Sequence, residues 1–157
     1  MRIRRATPAD RDVLAAVARA SKAHWGYDET FMRRVDPALV PDPAYLAECP
    51  VFVVECDGTP LGFYGFLTRD GEIFLEDMWV TPTAIGSGLG RMLWSHAVET
   101  ARANGYTAFS IESDPNAEGF YLRHGAKRVG EIVSAATGRV LPLMSYVIPG
   151  AKDRGAV

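Results

Sequence analysis

The sequence is short of cysteine, of net charge and of long apolar runs, and each shortage excludes something. Cys49 and Cys56 are its 2 cysteines, too few and wrongly spaced for a disulfide framework or a metal motif. Both lie near an apolar run, where buried free thiols are the simpler reading. The 17 Lys and Arg against 19 Asp and Glu give a formal net charge of -2, so no basic field invites nucleic acid. No apolar stretch approaches the ~20 residues that cross a bilayer. The start, Met1-Arg2-Ile3-Arg4-Arg5, is basic but lacks the apolar stretch of a signal peptide, and a cytoplasmic location is expected. Internal repeats and low-complexity segments are also missing.

What is there suits one soluble domain. Hydrophobic residues make up 48% and charged residues 23% of 157 positions, enough for a sizeable core under a polar surface. The domain is expected over residues 1–150, with a polar tail over 151–157 that needs no structure.

Taken in order, Ile3 to Ala6 reads as a short strand. Thr7-Pro8-Ala9-Asp10 then opens a helix, with Thr as N-cap and Pro at the first helical position. Leu14, Val17, Ala18 and Ser21 give that helix an apolar face that fades by Gly26. A second short helix is expected from Asp28 to just before Asp36, and another turn over Pro43 to Glu48. Between them the chain is rich in rings. His24, Trp25 and Tyr27 either line a pocket or pack one helix on the next. Three strands follow: Val51 to Cys56, Leu61 to Leu67 and Ile73 to Val80, joined by Asp57-Gly58 and Asp70-Gly71. Two Asp-Gly turns between apolar runs specify an antiparallel meander.

The long helix runs from about Gly88 to Asn104 and buries Leu89, Met92, Leu93, His96, Ala97, Thr100 and Ala101 on one face. A strand over Ala108 to Glu112 comes next, then a helix capped by Asp114-Pro115 that carries Phe120 and Tyr121. Val129 to Ala135 and Leu141 to Ile148 form a last hairpin around Thr137-Gly138. The fold class is therefore α+β: a mixed, mostly antiparallel sheet of about seven strands flanked by about four helices.

One stretch organises the rest. From Leu75 to Arg91 a strand passes through a Pro-marked turn into Ile85-Gly86-Ser87-Gly88-Leu89-Gly90-Arg91 and then a helix. Glycines let backbone approach a ligand, and a helix N-terminus offers free N–H groups, which together suit a pyrophosphate. A Walker A loop is excluded by the missing Gly-Lys-Ser/Thr, and the dinucleotide fingerprint by Gly-x-Gly-x-Gly spacing after a meander.

With Asn116-Ala117-Glu118-Gly119-Phe120-Tyr121-Leu122-Arg123-His124-Gly125-Ala126 downstream, the glycine loop resembles the paired motifs of the GNAT superfamily of acyl-CoA N-acetyltransferases. The order of elements agrees from Ile3 to Ile148, while Ile85 stands where that family usually has Arg or Gln. The resemblance implies acetyl-CoA as co-substrate, no metal, and a primary amine as acceptor, a small molecule or polyamine by preference. It implies that Met78, Trp79 and Val80 meet the pantetheine arm and that the 85–91 loop holds the pyrophosphate. Asn116 and Phe120 would bind the arm, and Tyr121 would reach the sulfur as it leaves. For the base, Glu76 is the first choice and Asp77 or a water chain the alternatives. Because successive strand residues face opposite sides, only one of the two carboxylates is expected to face the amine. Asp77, His24, Trp25 and Tyr27 are then candidates for the acceptor side. His96 is expected to be packed, His124 to be favoured as a cation at a helix C-terminus, and Arg139 to sit at a surface turn or meet an acceptor carboxylate. Homodimers are common in that family. A non-catalytic acyl-CoA-binding domain is the rival reading.

Overall fold

The computed structural model describes residues 1–151, and the remainder of the expected tail lies outside the described residues. Seven strands form one sheet: β1 (Arg2–Arg5), β2 (Val51–Cys56), β3 (Thr59–Arg69), β4 (Glu72–Val80), β5 (Ala108–Glu112), β6 (Lys127–Val133) and β7 (Val140–Val147). Their order across the sheet is β1-β2-β3-β4-β5-β7-β6. Every neighbouring pair is antiparallel except β4 and β5. Five helices accompany them: α1 (Arg11–Ala23), α2 (Glu29–Leu39), α3 (Pro43–Glu48), α4 (Leu89–Ala103) and α5 (Glu118–Arg123).

The meander follows from its turns. Asp57 and Gly58 take φ of 49° and 78°, and Asp70 and Gly71 take 51° and 79°. Left-handed backbone at both central positions is the two-residue hairpin geometry that matches strand twist, and Asp and Gly tolerate it best. Alternation along the strands then divides the core in two. Val51, Val53 and Phe63 face α1, α2 and α3, in one cluster with Leu14, Val35, Leu39 and Leu46. Val54, Tyr64 and Phe66 face α4 and α5, packing with Leu89, Leu93, Trp94 and Tyr121. His96 belongs to this second side as expected: its Nδ1 lies 2.7 Å from the Tyr64 hydroxyl and its ring 4.9 Å from Phe52. Burial pushes its pKa down.

Three helix boundaries differ from the sequence reading. The first helix opens with a separate 3-10 turn over Pro8–Asp10, because the Asp10 carboxylate accepts from the Thr7 N–H at 2.8 Å and is gripped by Arg4 at 2.8 and 2.9 Å. The second does not stop before Asp36 but runs to Leu39 through Pro37. Asp28 caps it by accepting from the Phe31 N–H at 2.8 Å, and burial of Val35 and Leu39 outweighs the bond that Pro37 removes. The fifth helix starts at Glu118, with Ala117 and not Asp114 as its N-cap. Asp114 is committed elsewhere, as described below.

Candidate active site

Strands β4 and β5 share a single register pair, Phe74 with Ser110. Beyond it they part, and the β5-facing edge of β4 from Glu76 to Val80 is left without a strand partner. On its other side β4 pairs Asp77 with Gly65 but Leu75 with Phe66, so Glu76 is an extra residue in a β-bulge. A bulge resets the alternation of side chains. Leu75 and Met78 pack with the α4–α5 core, and Trp79 packs with the α1–α3 core. Glu76 keeps the parity of Phe74, and Asp77 that of Trp79, so both carboxylates emerge on the α1–α2 side. The expectation that only one of them faces that side is therefore incorrect; strict alternation does not survive an inserted residue.

The two carboxylates differ in company. Asp77 accepts from the Trp79 Nε1–H at 2.8 Å, and burial raises its pKa against that hydrogen bond. The Tyr45 hydroxyl lies beside it, is fully enclosed and makes no hydrogen bond of good geometry. Burial first, and the Asp77 charge second, push the Tyr45 pKa far up. Glu76 instead lies 3.4 Å from an Arg69 nitrogen that is also 3.2 Å from Glu112. The Arg69 guanidinium is steadied over the Phe74 ring at 4.0 Å. Burial raises the Glu76 pKa, Arg69 opposes it, and Asp77 and Glu112 add to it.

The loop after β4 is open to a ligand. Gly86 and Gly88 take φ of 83° and 88°, with nothing within 4 Å of where a Cβ would stand. The N–H groups of Gly86, Gly88, Gly90 and Arg91 have no partner among the described residues. Ser87 closes the turn, its hydroxyl donating to the Ala84 carbonyl at 2.5 Å and accepting from the Leu89 N–H at 3.4 Å. Gly90 has a different constraint: a Cβ there would lie 3.1 Å from the Phe120 ring, so the glycine lets α5 close on α4. Ile85 is exposed and brings no cation. Arg91 and Arg123 do bring charge to this end, and His124 stands between them, its ring 4.5 Å from Phe120. Burial, then Arg91 and Arg123, push the His124 pKa down. The helix-end argument for a cationic His124 therefore fails, because burial, with two guanidinium charges adding to it, outweighs a one-turn dipole. Arg123 lies within the second motif, and nothing in the sequence pattern alone assigned it to this end.

A cavity of about 800 Å³ joins these parts, within the range of small-molecule sites. Glu76, Asp77, Met78, Trp79, Val80, Ile85, Gly86, Gly88, Gly90, Arg91, Asn116, Phe120, Tyr121 and Trp25 all line it. Ser87 and Leu89 support the loop from behind, Leu89 being buried. Tyr121 is buried to 6% exposure, and burial, with Asp77 and Asp114 adding, pushes its pKa up. Among the described residues no group of His, Cys, Asp and Glu is arranged to hold a metal ion, and no helix is long and apolar enough to cross a membrane.

Two expected pocket residues sit elsewhere. His24 is exposed and off the cavity wall, its ring 5.3 Å from Trp25. Tyr27 is also off the wall. Its hydroxyl donates to the Asp114 carboxylate at 2.9 Å and accepts from the Asn116 Nδ2–H at 2.9 Å. Asp114 further accepts from the Asn116 N–H and Nδ2–H, at 2.8 and 2.9 Å, and pairs with buried Lys22. Burial works against the Asp114 charge, but Lys22, Asn116 and Tyr27 outweigh it and hold its pKa below the usual range. The ring-rich loop thus fixes the residue ahead of α5, and both donors of the Asn116 amide are tied, leaving its oxygen free of these bonds.

The sequence model of the Acetyltransferase (GNAT) family matches residues 15–126. A curated relative, the peptidyl-lysine N-acetyltransferase YjaB of Salmonella typhimurium, is 31% identical over 106 residues, which span 67% of this chain and 69% of that protein. Among solved structures, a GCN5-related N-acetyltransferase from Rhodopseudomonas palustris superposes with a TM-score of 0.78 at 22% identity, covering 93% of this chain and 94% of that one. The putative acetyltransferase yncA of Salmonella typhimurium, solved with acetyl-CoA, gives a TM-score of 0.66 at 24% identity over 100% and 99% of the two chains.

Proposed function

Because the chain belongs to the acetyltransferase (GNAT) family, we propose that it moves the acetyl group of acetyl-CoA to a primary amine by direct attack in a ternary complex. The observation that carries this reading is the coincidence of a pyrophosphate cradle and two adjacent carboxylates on one cavity. Gly86, Gly88, Gly90 and Arg91 offer free N–H groups at a helix N-terminus, with Arg91 and Arg123 supplying the positive charge that Ile85 does not. The open edge of β4 from Met78 to Val80 receives the pantetheine arm, and Asn116, with its donors tied, offers its oxygen to the arm's amides.

Of the two carboxylates, Asp77 suits the base better than Glu76, which reverses the preference drawn from sequence. Trp79 fixes one Asp77 oxygen and, among the described residues, no cation claims the other, whereas Glu76 is paired with Arg69. Burial raises both carboxyls toward the working pH, but at Glu76 the Arg69 charge opposes the rise. Asp77 takes a proton from the ammonium, the neutral nitrogen attacks the acetyl carbon, and the C–S bond breaks as the C–N bond forms. Backbone N–H on the open edge of β4 stabilises the carbonyl oxygen as it gains charge. Tyr121 gives the leaving thiolate its proton, the acylated nitrogen releases its extra proton to solvent, and solvent returns one to Tyr121. The acceptor favoured is a small free amine. The relative's name points to peptidyl lysine, and a lysine side chain presents the same amine on an aliphatic stem.

A thiol-release assay over a panel of amines tests the reaction; absence of release with every amine would defeat it. Tyr121→Phe is expected to lower kcat about 10-fold to 100-fold with acetyl-CoA affinity, read by calorimetry, within about 2-fold. An unchanged kcat would remove Tyr121 from the mechanism. Tyr27→Phe keeps the ring, stacked 4.2 Å from Phe31, and removes the hydroxyl that holds Asn116 and donates to Asp114. It is expected to weaken acetyl-CoA binding about 3-fold to 10-fold, the scale of one hydrogen bond. In an Asn116→Ala background the same change should do almost nothing; additive losses would show that Tyr27 acts by another route.

A further inference from the structure

The acceptor side of the cavity is polar in an uneven way. At the β4–β5 end stand three carboxylates, Asp77, Glu76 and Glu112, with one shared cation, Arg69. The middle is apolar: Phe31, Val35, Leu39 and Trp79 line it and belong to one hydrophobic cluster, and Leu141 lines it from β7. At the far end the β6–β7 hairpin supplies Arg139, which also lines the cavity.

Arg139 is held but not neutralised. Its guanidinium lies over the Tyr27 ring at 4.8 Å and the Phe31 ring at 5.0 Å, and it forms no ion pair among the described residues. Arg34 on α2 donates to the Thr137 carbonyl at 3.3 Å, which ties the hairpin to the helix beneath it. The other lining cation on this side, Lys22, is already paired with Asp114. A surplus of negative charge beside β4 and β5, apolar walls, and a guanidinium without an ion pair on the β6–β7 hairpin describe the complement of a zwitterion.

We propose that the acceptor is a primary amine on an apolar stem whose far end carries an anion, such as a carboxylate, received by Arg139. The inference rests on the acetyltransferase reading and narrows it. A polyamine fits poorly, since its second ammonium meets either the Val35–Leu39–Leu141 wall or Arg139, and a buried unpaired charge is costly. This sets aside the polyamine alternative that the sequence left open. An anion at Arg139 gains a charge-assisted, fork-shaped pair of hydrogen bonds.

The test uses three amines of equal length that differ only at the far end: an n-alkylamine, an α,ω-diamine and an ω-amino acid, each with three to six carbons in the stem. Thiol release at saturating acetyl-CoA gives kcat/KM. At the best length the ω-amino acid is expected to exceed the diamine by about 10-fold or more, with the alkylamine between them. Arg139→Gln should cut the ω-amino acid about 10-fold and leave the alkylamine within about 2-fold. A diamine turned over as well as the ω-amino acid overturns the inference, and so does an equal loss for both substrates in Arg139→Gln. Transfer to none of the three, with transfer to other amines, overturns the inference alone. No transfer to any amine removes the acetyltransferase reading with it.

Discussion

Asp77→Asn is expected to make the protein more heat-stable and almost inactive. Asn is the same size and its side-chain oxygen can still accept from the Trp79 Nε1–H, so the local packing is kept. What disappears is a carboxylate whose folded pKa is raised by burial. The sign follows from linkage. A group whose pKa rises on folding contributes stability that is fully present below its unfolded pKa, about 3.9 for Asp, and that contribution is lost as pH rises through the folded value. Above the folded pKa the wild-type fold therefore carries the cost of a desolvated charge, and the variant does not. A gain on the order of 1 kcal/mol is expected, a Tm increase of about 2–4 °C for a chain of this size. The gain should shrink as pH falls and vanish near pH 4. Loss of the base should lower kcat/KM about 10²-fold to 10⁴-fold. Glu76→Gln, which removes a carboxylate already shared with Arg69, should cost less, about 10-fold or under. Melting curves from pH 4 to 8 and thiol-release rates check both halves. Activity that persists in Asp77→Asn and collapses in Glu76→Gln would return the base role to Glu76.

This prediction depends on a feature that no local pattern contains. The meander was legible because its determinants are local: two Asp-Gly turns and apolar strands between them fix sign and register within a few residues. The glycine loop was legible for the same reason, since left-handed backbone at Gly86 and Gly88 is a demand on single positions. The bulge at Glu76 is not of that kind. It is set by how β4 meets Gly65 on one side and the departing β5 on the other; Leu-Glu-Asp-Met-Trp breaks strict alternation at its two adjacent carboxylates but does not say which residue is the inserted one. The contact between Tyr27 and Asp114 was missed likewise, because a hydroxyl and a carboxylate 87 residues apart in sequence have no local signal for each other. His124 sits in a motif that was recognised, yet the field of Arg91 on it appears only when α5 is docked beside the start of α4.

Gly65→Ala is expected to be among the most damaging single-methyl changes in the molecule. Gly65 stands opposite Asp77 across the bulge, and a Cβ there would fall 1.8 Å from the Tyr45 hydroxyl, 2.7 Å from that ring's carbon and 3.0 Å from Val51. The hydroxyl is enclosed and makes no hydrogen bond of good geometry among the described residues, and Val51 is fully buried, so the contact cannot be relieved without moving the ring. Overpacking of this sort costs about 1–3 kcal/mol, a loss of roughly 2–12 °C in Tm. Activity should fall further than stability does, because the displaced ring forms the wall beside Asp77. Tyr45→Phe separates the two causes. Alone it removes a buried hydroxyl that lacks a partner, so it should leave stability unchanged or raise it by up to about 1 kcal/mol. Added to Gly65→Ala it relieves the 1.8 Å contact and leaves the 2.7 Å one, so it should restore part of the lost Tm and not all of it. Strictly additive effects in that double variant would mean that Gly65 is required for its backbone alone, and that Tyr45 does not set the space around Asp77.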